Sequence, residues 1–259
     1  MDVVQSMLRW FHVVFSILWI GHLYFFNFVN VPFQGLLDGE TKKKVNPELM
    51  PRALFWFRYG ALWTWITGML LLGVVFYHGW RGGNMFDATT NVDTTRAVAM
   101  ILVNLLAFLA YDFLVGQEFA KDLKVLAGIG VLATLIVALL NQSVGGFSYR
   151  AMAIHVGSMF GTIMAFNVWF RIWPAQQKII SAVKAGTPPD ASLVALAGAR
   201  SKHNTFLSVP LVWLMLENHN TWAASALGLP GWAWIAIMTA LGWWLVTMFY
   251  RQSVKVTGF

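Results

Sequence analysis

An all-α, polytopic membrane helix bundle of about seven transmembrane helices is the fold class that the sequence predicts. Three observations predict it. Only 11% of the 259 residues are charged, whereas a soluble domain carries about 25%. Hydrophobic residues make up 58% of the chain, and mean hydropathy is +0.61. The apolar residues also fall into long runs, and a helix needs about 20 of them to cross a bilayer. Disorder is excluded, because it requires low hydrophobicity with high net charge. The runs are apolar on nearly all faces, which excludes the alternation of a β-barrel. Nucleic-acid binding is excluded despite a net charge of +7. The basic residues sit in short connections instead of forming a stripe on one face.

The elements follow in order. Met7 to Val31 opens the chain; it has no basic leader and no A-x-A site, so it reads as a retained span and not a signal peptide. Leu54 to Tyr77, Ala97 to Val115, Leu123 to Leu140 and Ala151 to Trp173 are the second to fifth spans. Asn204 to Leu216 is the sixth and the weakest, with Pro210 inside it, and Gly231 to Tyr250 is the seventh. Residues 1–259 thus read as one integral membrane domain, with connections at 32–53, 78–95 and 174–202. The last holds Thr187-Pro188-Pro189-Asp190, a helix stop and restart, with short amphipathic helices expected on either side. Gly82-Gly83 reads as a turn.

Charge sets the expected orientation. With seven spans, one side collects Lys42, Lys43, Lys44, Arg52, Lys121, Lys124, Lys178, Lys184, Arg200, Lys202, Arg251 and Lys255. The other side holds Arg9, Arg81, Arg96 and Arg150. Twelve against four places the N-terminus outside and the C-terminus in the cytoplasm. Trp10, Trp80, Trp173 and Trp232 fall at the expected interfaces, as an aromatic belt would.

Chemistry is confined to a few polar residues. The absence of cysteine excludes disulfides, thiolate metal sites and covalent haem attachment. No phosphate loop, nucleophile triad or H-E-x-x-H is present. Of six histidines, His12 and His22 lie in the first span, His155 in the fifth, and His203 and His219 bracket the sixth. Ionisable groups inside spans are costly and usually face the bundle interior. His12 and His22 are about 15 Å apart along a helix, and His203 and His219 about 24 Å. Neither pair can grip one metal, so a bis-histidine haem needs ligands from different helices, as cofactor sites in bundle cores do. Depth groups His12, His155 and His219 towards the outer face, and His22 and His203 towards the inner one. Arg9 and Arg150 lie at the outer face, where they could meet haem propionates. Ordinary interhelical hydrogen bonding is the competing reading for each histidine. Asp112 is expected to pair with Arg58 and Arg171, and Asn104 and Asn167 to bond between helices. Gly60, Gly68, Gly157 and Gly161 are expected where helices approach closely.

Four stretches carry a family resemblance. They are Arg9-Trp10-Phe11-His12 with Trp19-Ile20-Gly21, then His155-Val156-Gly157 with Gly161-Thr162-Ile163-Met164, then Asn167-Val168 with Pro174-Ala175-Gln176. The fourth runs from Ser201-Lys202-His203-Asn204-Thr205 through Ser208-Val209-Pro210 to Asn218-His219. Together they resemble the urate oxidase N-terminal domain, the membrane part of bacterial membrane-bound urate hydroxylases. The resemblance implies a multi-pass protein of the bacterial inner membrane, with His12, His155, His203 and His219 as functional positions. In that family the membrane domain is followed by a c-type cytochrome domain. No C-x-x-C-H occurs before the chain stops at Phe259, so a separate c-type cytochrome is the expected partner, with other membrane or periplasmic subunits.

Three functions compete at this level. The first is a subunit binding one or two haem b groups, which moves electrons between a membrane carrier such as quinone and a cytochrome. The second is the catalytic membrane part of a urate hydroxylase that uses a cytochrome c on another chain. The third is a non-redox anchor or transporter with structural histidines.

Overall fold

The computed structural model describes residues 2–79, 84–87, 90–91, 93–217, 219 and 221–256. Trp80, Arg81, the Gly82-Gly83 turn and Asn218 lie outside the described residues. The described chain is all-α, and six of its helices are long and apolar enough to cross a membrane. The protein is therefore a multi-pass membrane protein.

The first span is helix α1 (Asp2–Tyr24), a π-helical turn (Phe25–Asn30) and α2 (Val31–Leu36), continuous in direction. The second is α3 (Gly39–Leu72) followed by a second π-helical turn (Gly73–Tyr77). Helices α4 (Thr94–Leu114) and α5 (Leu123–Ser143) come next. α6 (Tyr149–Asn167) passes through a third π-helical turn (Val168–Ile172) into α7 (Trp173–Lys184). α8 (Ala191–Glu217) and α9 (Gly231–Ser253) complete the bundle. Two of the π-helical turns lie just before a proline, Pro32 or Pro174. Proline has no N–H to donate and crowds the carbonyl four residues back. A widened turn ahead of it relieves both problems without ending the helix.

Two sequence expectations need correction. The connection expected at 32–53 is almost wholly helical, broken only around Leu37 and Asp38. Asp38 caps α3 by accepting from the Thr41 N–H at 2.9 Å and from its hydroxyl at 2.6 Å. Lys42 to Lys44 then continue the helix, because lysine is a good helix former. The expected sixth span, Asn204 to Leu216, is only part of α8, whose 27 residues run through Pro210. α8 is not among the six helices apolar enough to cross by composition. It nevertheless runs beside α6 from end to end, and α9 packs on it where Gly242 faces Pro210. A Cβ on Gly242 would stand 2.9 Å from Pro210 Cδ. The expected stop and restart near Thr187-Pro188-Pro189-Asp190 is present, with α7 and α8 on either side.

α6 is the centre of the bundle and touches α3, α4, α5, α8 and α9. Of its apolar window 83% is buried, against 11–33% in the other five candidate spans. The outer helices turn Val, Leu, Phe and Trp side chains outward, as lipid-facing surfaces require. The seam between α1 and α3 closes at Gly60, where a Cβ would stand 3.0 Å from the Trp19 backbone nitrogen. Gly157 allows the same approach towards Met215 and Leu214. Gly161 does not, since nothing lies within 4 Å of where its Cβ would be. At the end carrying Arg150, Ser148 ties the α5–α6 connection to the segment before α4. Its N–H donates to the Met85 carbonyl at 2.9 Å, and its hydroxyl to the Asn84 carbonyl at 2.7 Å.

Candidate functional site

A cavity of about 880 Å³ lies between α1, α3, α6 and α8, towards the end of the bundle that carries Arg150. Its polar lining includes Arg9, His12, Ser16, Arg150, Ser158 and His219. Much of the remaining wall is apolar, with Ile154, Leu211 and Met215 among it. Ligand sites commonly have this character: a large apolar pocket with a few convergent polar groups.

His12 is held firmly. The Thr67 hydroxyl has one hydrogen, and it lies 2.6 Å from the Trp63 carbonyl of its own helix. The Thr67 oxygen is then left to accept, and His12 Nδ1, 3.1 Å away, must donate to it. That fixes the tautomer with the lone pair on Nε2, the nitrogen a metal would use. Gly68 makes room for the ring, because a Cβ there would stand 3.0 Å from His12 Cε1. Arg9 and Arg150 are exposed at the cavity's edge and have no ion pair among the described residues. His219 sits in the turn after α8, its N–H donating to the Leu216 carbonyl at 2.9 Å. Trp19 also lines the cavity; its indole N–H is buried and has no hydrogen-bond partner among the described residues.

The other histidines are placed elsewhere. His155 is fully buried and does not line the cavity. Its Nδ1 lies 2.6 Å from the Ala151 carbonyl, so this nitrogen donates. Nε2 then accepts the Tyr77 hydroxyl at 3.0 Å. Residues 150, 154, 158 and 161 form the face of α6 turned to the cavity. His155 is one position off that face, about 100° around the helix. His22 is half-buried and bonds the Leu18 carbonyl at 2.7 Å.

His203 belongs to a polar cluster at the opposite end, which we call the Asp112 end. Its Nδ1 is 2.9 Å from the Tyr111 hydroxyl. Asn167 donates to Tyr111 and to Asn204, both at 2.9 Å. Asp112 is pinned between Arg171 and Arg200, the latter at 2.7 Å. The expected partner Arg58 is not part of this pair. It stacks on the Trp173 ring at 3.8 Å, and Arg200 from α8 takes its place. Asn104 bonds across to Asn141 at 2.7 Å, as an interhelical asparagine should.

The structure thus brings Arg9, His12, Arg150 and His219 to one cavity, and leaves His22, His155 and His203 outside it. Sequence reasoning missed Thr67 and the place of Trp19 in the lining, whereas Gly68 stands, as expected, where two helices approach closely. His12 and Thr67 are 55 residues apart, and no local pattern joins them. Among the described residues there is no cluster of three or more His, Cys, Asp and Glu fit to hold a bare metal ion. His12 and His219 are the histidines that line the cavity.

A family model described as urate oxidase N-terminal matches residues 35–257. Arg9 and His12 precede the matched region. No curated protein and no solved structure matches the chain.

Proposed function

The chain belongs to the urate oxidase N-terminal family, and on that premise we propose that it is a haem b-binding electron-transfer subunit of the bacterial inner membrane. The cavity carries the reading: it is apolar, larger than a bicyclic purine requires, and presents His12 and His219 from two different helices or their ends. His12, its tautomer fixed by Thr67, and His219 are the residues that would hold the haem iron. Arg9 and Arg150 are placed to bind carboxylates such as propionates. Leu211, Met215 and Ile154 supply the water-poor wall. Bound there, haem b would supply one-electron transfer to a separate c-type cytochrome. The excess of Lys and Arg at the Asp112 end supports a cytoplasmic position for that end, and an outer position for the cavity.

The test is a reduced-minus-oxidised spectrum with a pyridine haemochrome assay on the purified protein. A b-type signal is expected that His12→Ala and His219→Ala each diminish and His203→Ala leaves in place. Protein that elutes as a folded species without haem overturns the reading and favours the non-redox anchor or transporter.

The family itself favours a second reading, the catalytic membrane part of a urate hydroxylase. Two unpaired cations beside one cavity would also attract a urate anion. Urate-dependent reduction of an added c-type cytochrome, lost in Arg150→Gln, would establish it.

A further inference from the structure

A second pocket, of about 370 Å³, opens near the Asp112 end. It lies among the π-helical turn after α1, α3, α7, the first half of α8, and Tyr250 of α9. Its walls are Phe26, Leu54, Phe57 and Ile172, and Val31, 63% exposed, stands at its rim on the lipid-facing surface. The polar groups facing it differ in what they have already spent. Asn27 is saturated: it donates to the Leu23 carbonyl and the Ser201 hydroxyl, each at 2.9 Å, and accepts from Tyr250 at 2.8 Å. Asn30 is not. It is 7% exposed, and its amide nitrogen has only the Met50 sulfur, at 3.9 Å, among the described residues. A thioether is a weak acceptor. Among the described residues Gln176 makes no hydrogen bond and Lys202 no ion pair; the Lys202 ammonium stands 5.5 Å from the centre of the Tyr250 ring. Among the described residues no carboxylate lines the pocket.

The pocket therefore offers unspent donors on apolar and aromatic walls, beside the lipid face. We infer that it binds the head group of a membrane quinone. A quinone ring supplies carbonyl acceptors for Gln176, Asn30 and Lys202, a flat apolar body for Phe26 and Phe57, and a tail that leaves past Val31. A phospholipid phosphate is the less fitting occupant, because only one cation lines the pocket and most of the wall is apolar. The inference concerns a different site from the proposed haem cavity and does not depend on it.

The experiment titrates decylubiquinone into the full-length protein in phosphatidylcholine nanodiscs, with empty nanodiscs measuring partition into lipid. Saturable binding above partition is expected. Gln176→Leu should weaken it about tenfold, as loss of a hydrogen bond to a desolvated acceptor does. Gln176 makes no other hydrogen bond among the described residues, and Lys202→Gln provides a second variant with the same expected direction. No saturable binding, or equal binding by both variants, overturns the inference. So does native mass spectrometry showing phosphatidylglycerol retained by the wild type and lost in Lys202→Gln, without quinone binding. Haem content is not read in this assay, so failure here and failure of the haem reading are separate results.

Discussion

The Asp112 cluster and the large cavity handle polar residues in opposite ways. Within the Asp112 cluster the polar groups pair with one another. Asp112 holds two arginines, Asn167 joins Tyr111 to Asn204, and Tyr111 reaches His203. At the cavity end, among the described residues, Arg9 and Arg150 have no ion pair and the Trp19 indole N–H has no partner. Burying polar groups without partners costs several kcal/mol in a medium without water. The paired set offsets that cost internally and fixes the register of α4, α6 and α8. Of the unpaired set, Arg9 and Arg150 are exposed and escape that cost, and only the Trp19 N–H is buried beside the cavity. Both sets are polar residues in an apolar chain, so what distinguishes them is partner satisfaction and not polarity.

The sharpest way to break this comparison is Asp112→Asn. It leaves Arg200, whose side chain is 8% exposed, without its counter-charge. Removing one partner of a buried pair costs about 3–5 kcal/mol. Arg171 adds little to this, because its side chain is 40% exposed and solvent screens it. The expected result is a large fall in the thermal midpoint in detergent, or no folded peak on size exclusion. A variant that melts with the wild type would show that the cluster does not hold the helices together.

The next effect is smaller. Asn104→Leu orphans Asn141, which is fully buried. Interhelical hydrogen bonds in membranes average about 0.6 kcal/mol and reach about 1.7. Asn104→Leu should therefore lower stability by about 1 kcal/mol. Adding Asn141→Leu should recover part of the loss, because two apolar groups leave nothing unsatisfied. A chemical denaturation series on the two single variants and the double variant measures the coupling. Strict additivity would contradict a paired role.

At the cavity end the same kind of change should do nearly nothing to stability. Arg150→Gln removes an exposed charge that has no ion pair among the described residues, and such changes stay within about 0.5 kcal/mol. Its expected effect is on what the cavity holds, read as lower haem retention at an unchanged thermal midpoint. A midpoint drop comparable to that of Asp112→Asn would mean that Arg150 is structural and the two ends are alike.

Much of this contrast was legible in the sequence, but not its deciding part. Long apolar runs and helix breakers located most of the helices, and counting depth placed Arg9, His12, Arg150 and His219 at one end. Depth could not say which way a side chain turns. His155 lies at the same depth, yet it faces Tyr77 and not the cavity, because one residue along a helix rotates the side chain by about 100°. Arg200 read as a loop charge, since the chain before Asn204 is too polar for a span; α8 begins at Ala191 and carries it into the bundle. The π-helical turns left no signal beyond the prolines that follow two of them. Whether a polar group is satisfied depends on contacts 55 to 100 residues away, as His12 with Thr67 and Arg200 with Asp112 illustrate, and no local pattern encodes those.

The smallest effect tests whether the solvent-exposed connection beyond the Asp112 end shares in that end's stability. Asp190 precedes α8 and caps it, accepting from the Ser192 N–H at 2.8 Å and from its hydroxyl at 2.7 Å. The Ser192 hydroxyl, then its N–H, hold the Asp190 carboxyl below the ordinary aspartate range, with Leu193 N–H and the charge of Lys178 adding to them. A carboxylate whose folded value is depressed contributes stability that is present above its unfolded value, about 3.9. That contribution fades as pH falls through the folded value. Asp190→Ala should thus melt slightly below the wild type at neutral pH, and the gap should close on acidification below about pH 4. A gap that persists unchanged in acid would assign the difference to helix propensity at this position and not to the charged cap. Paired melting curves at matched ionic strength across that range are sufficient to decide it. Either way the change should leave Asp112 and the cavity untouched, since the cap lies at the start of α8, ten residues before Arg200 and well short of His219.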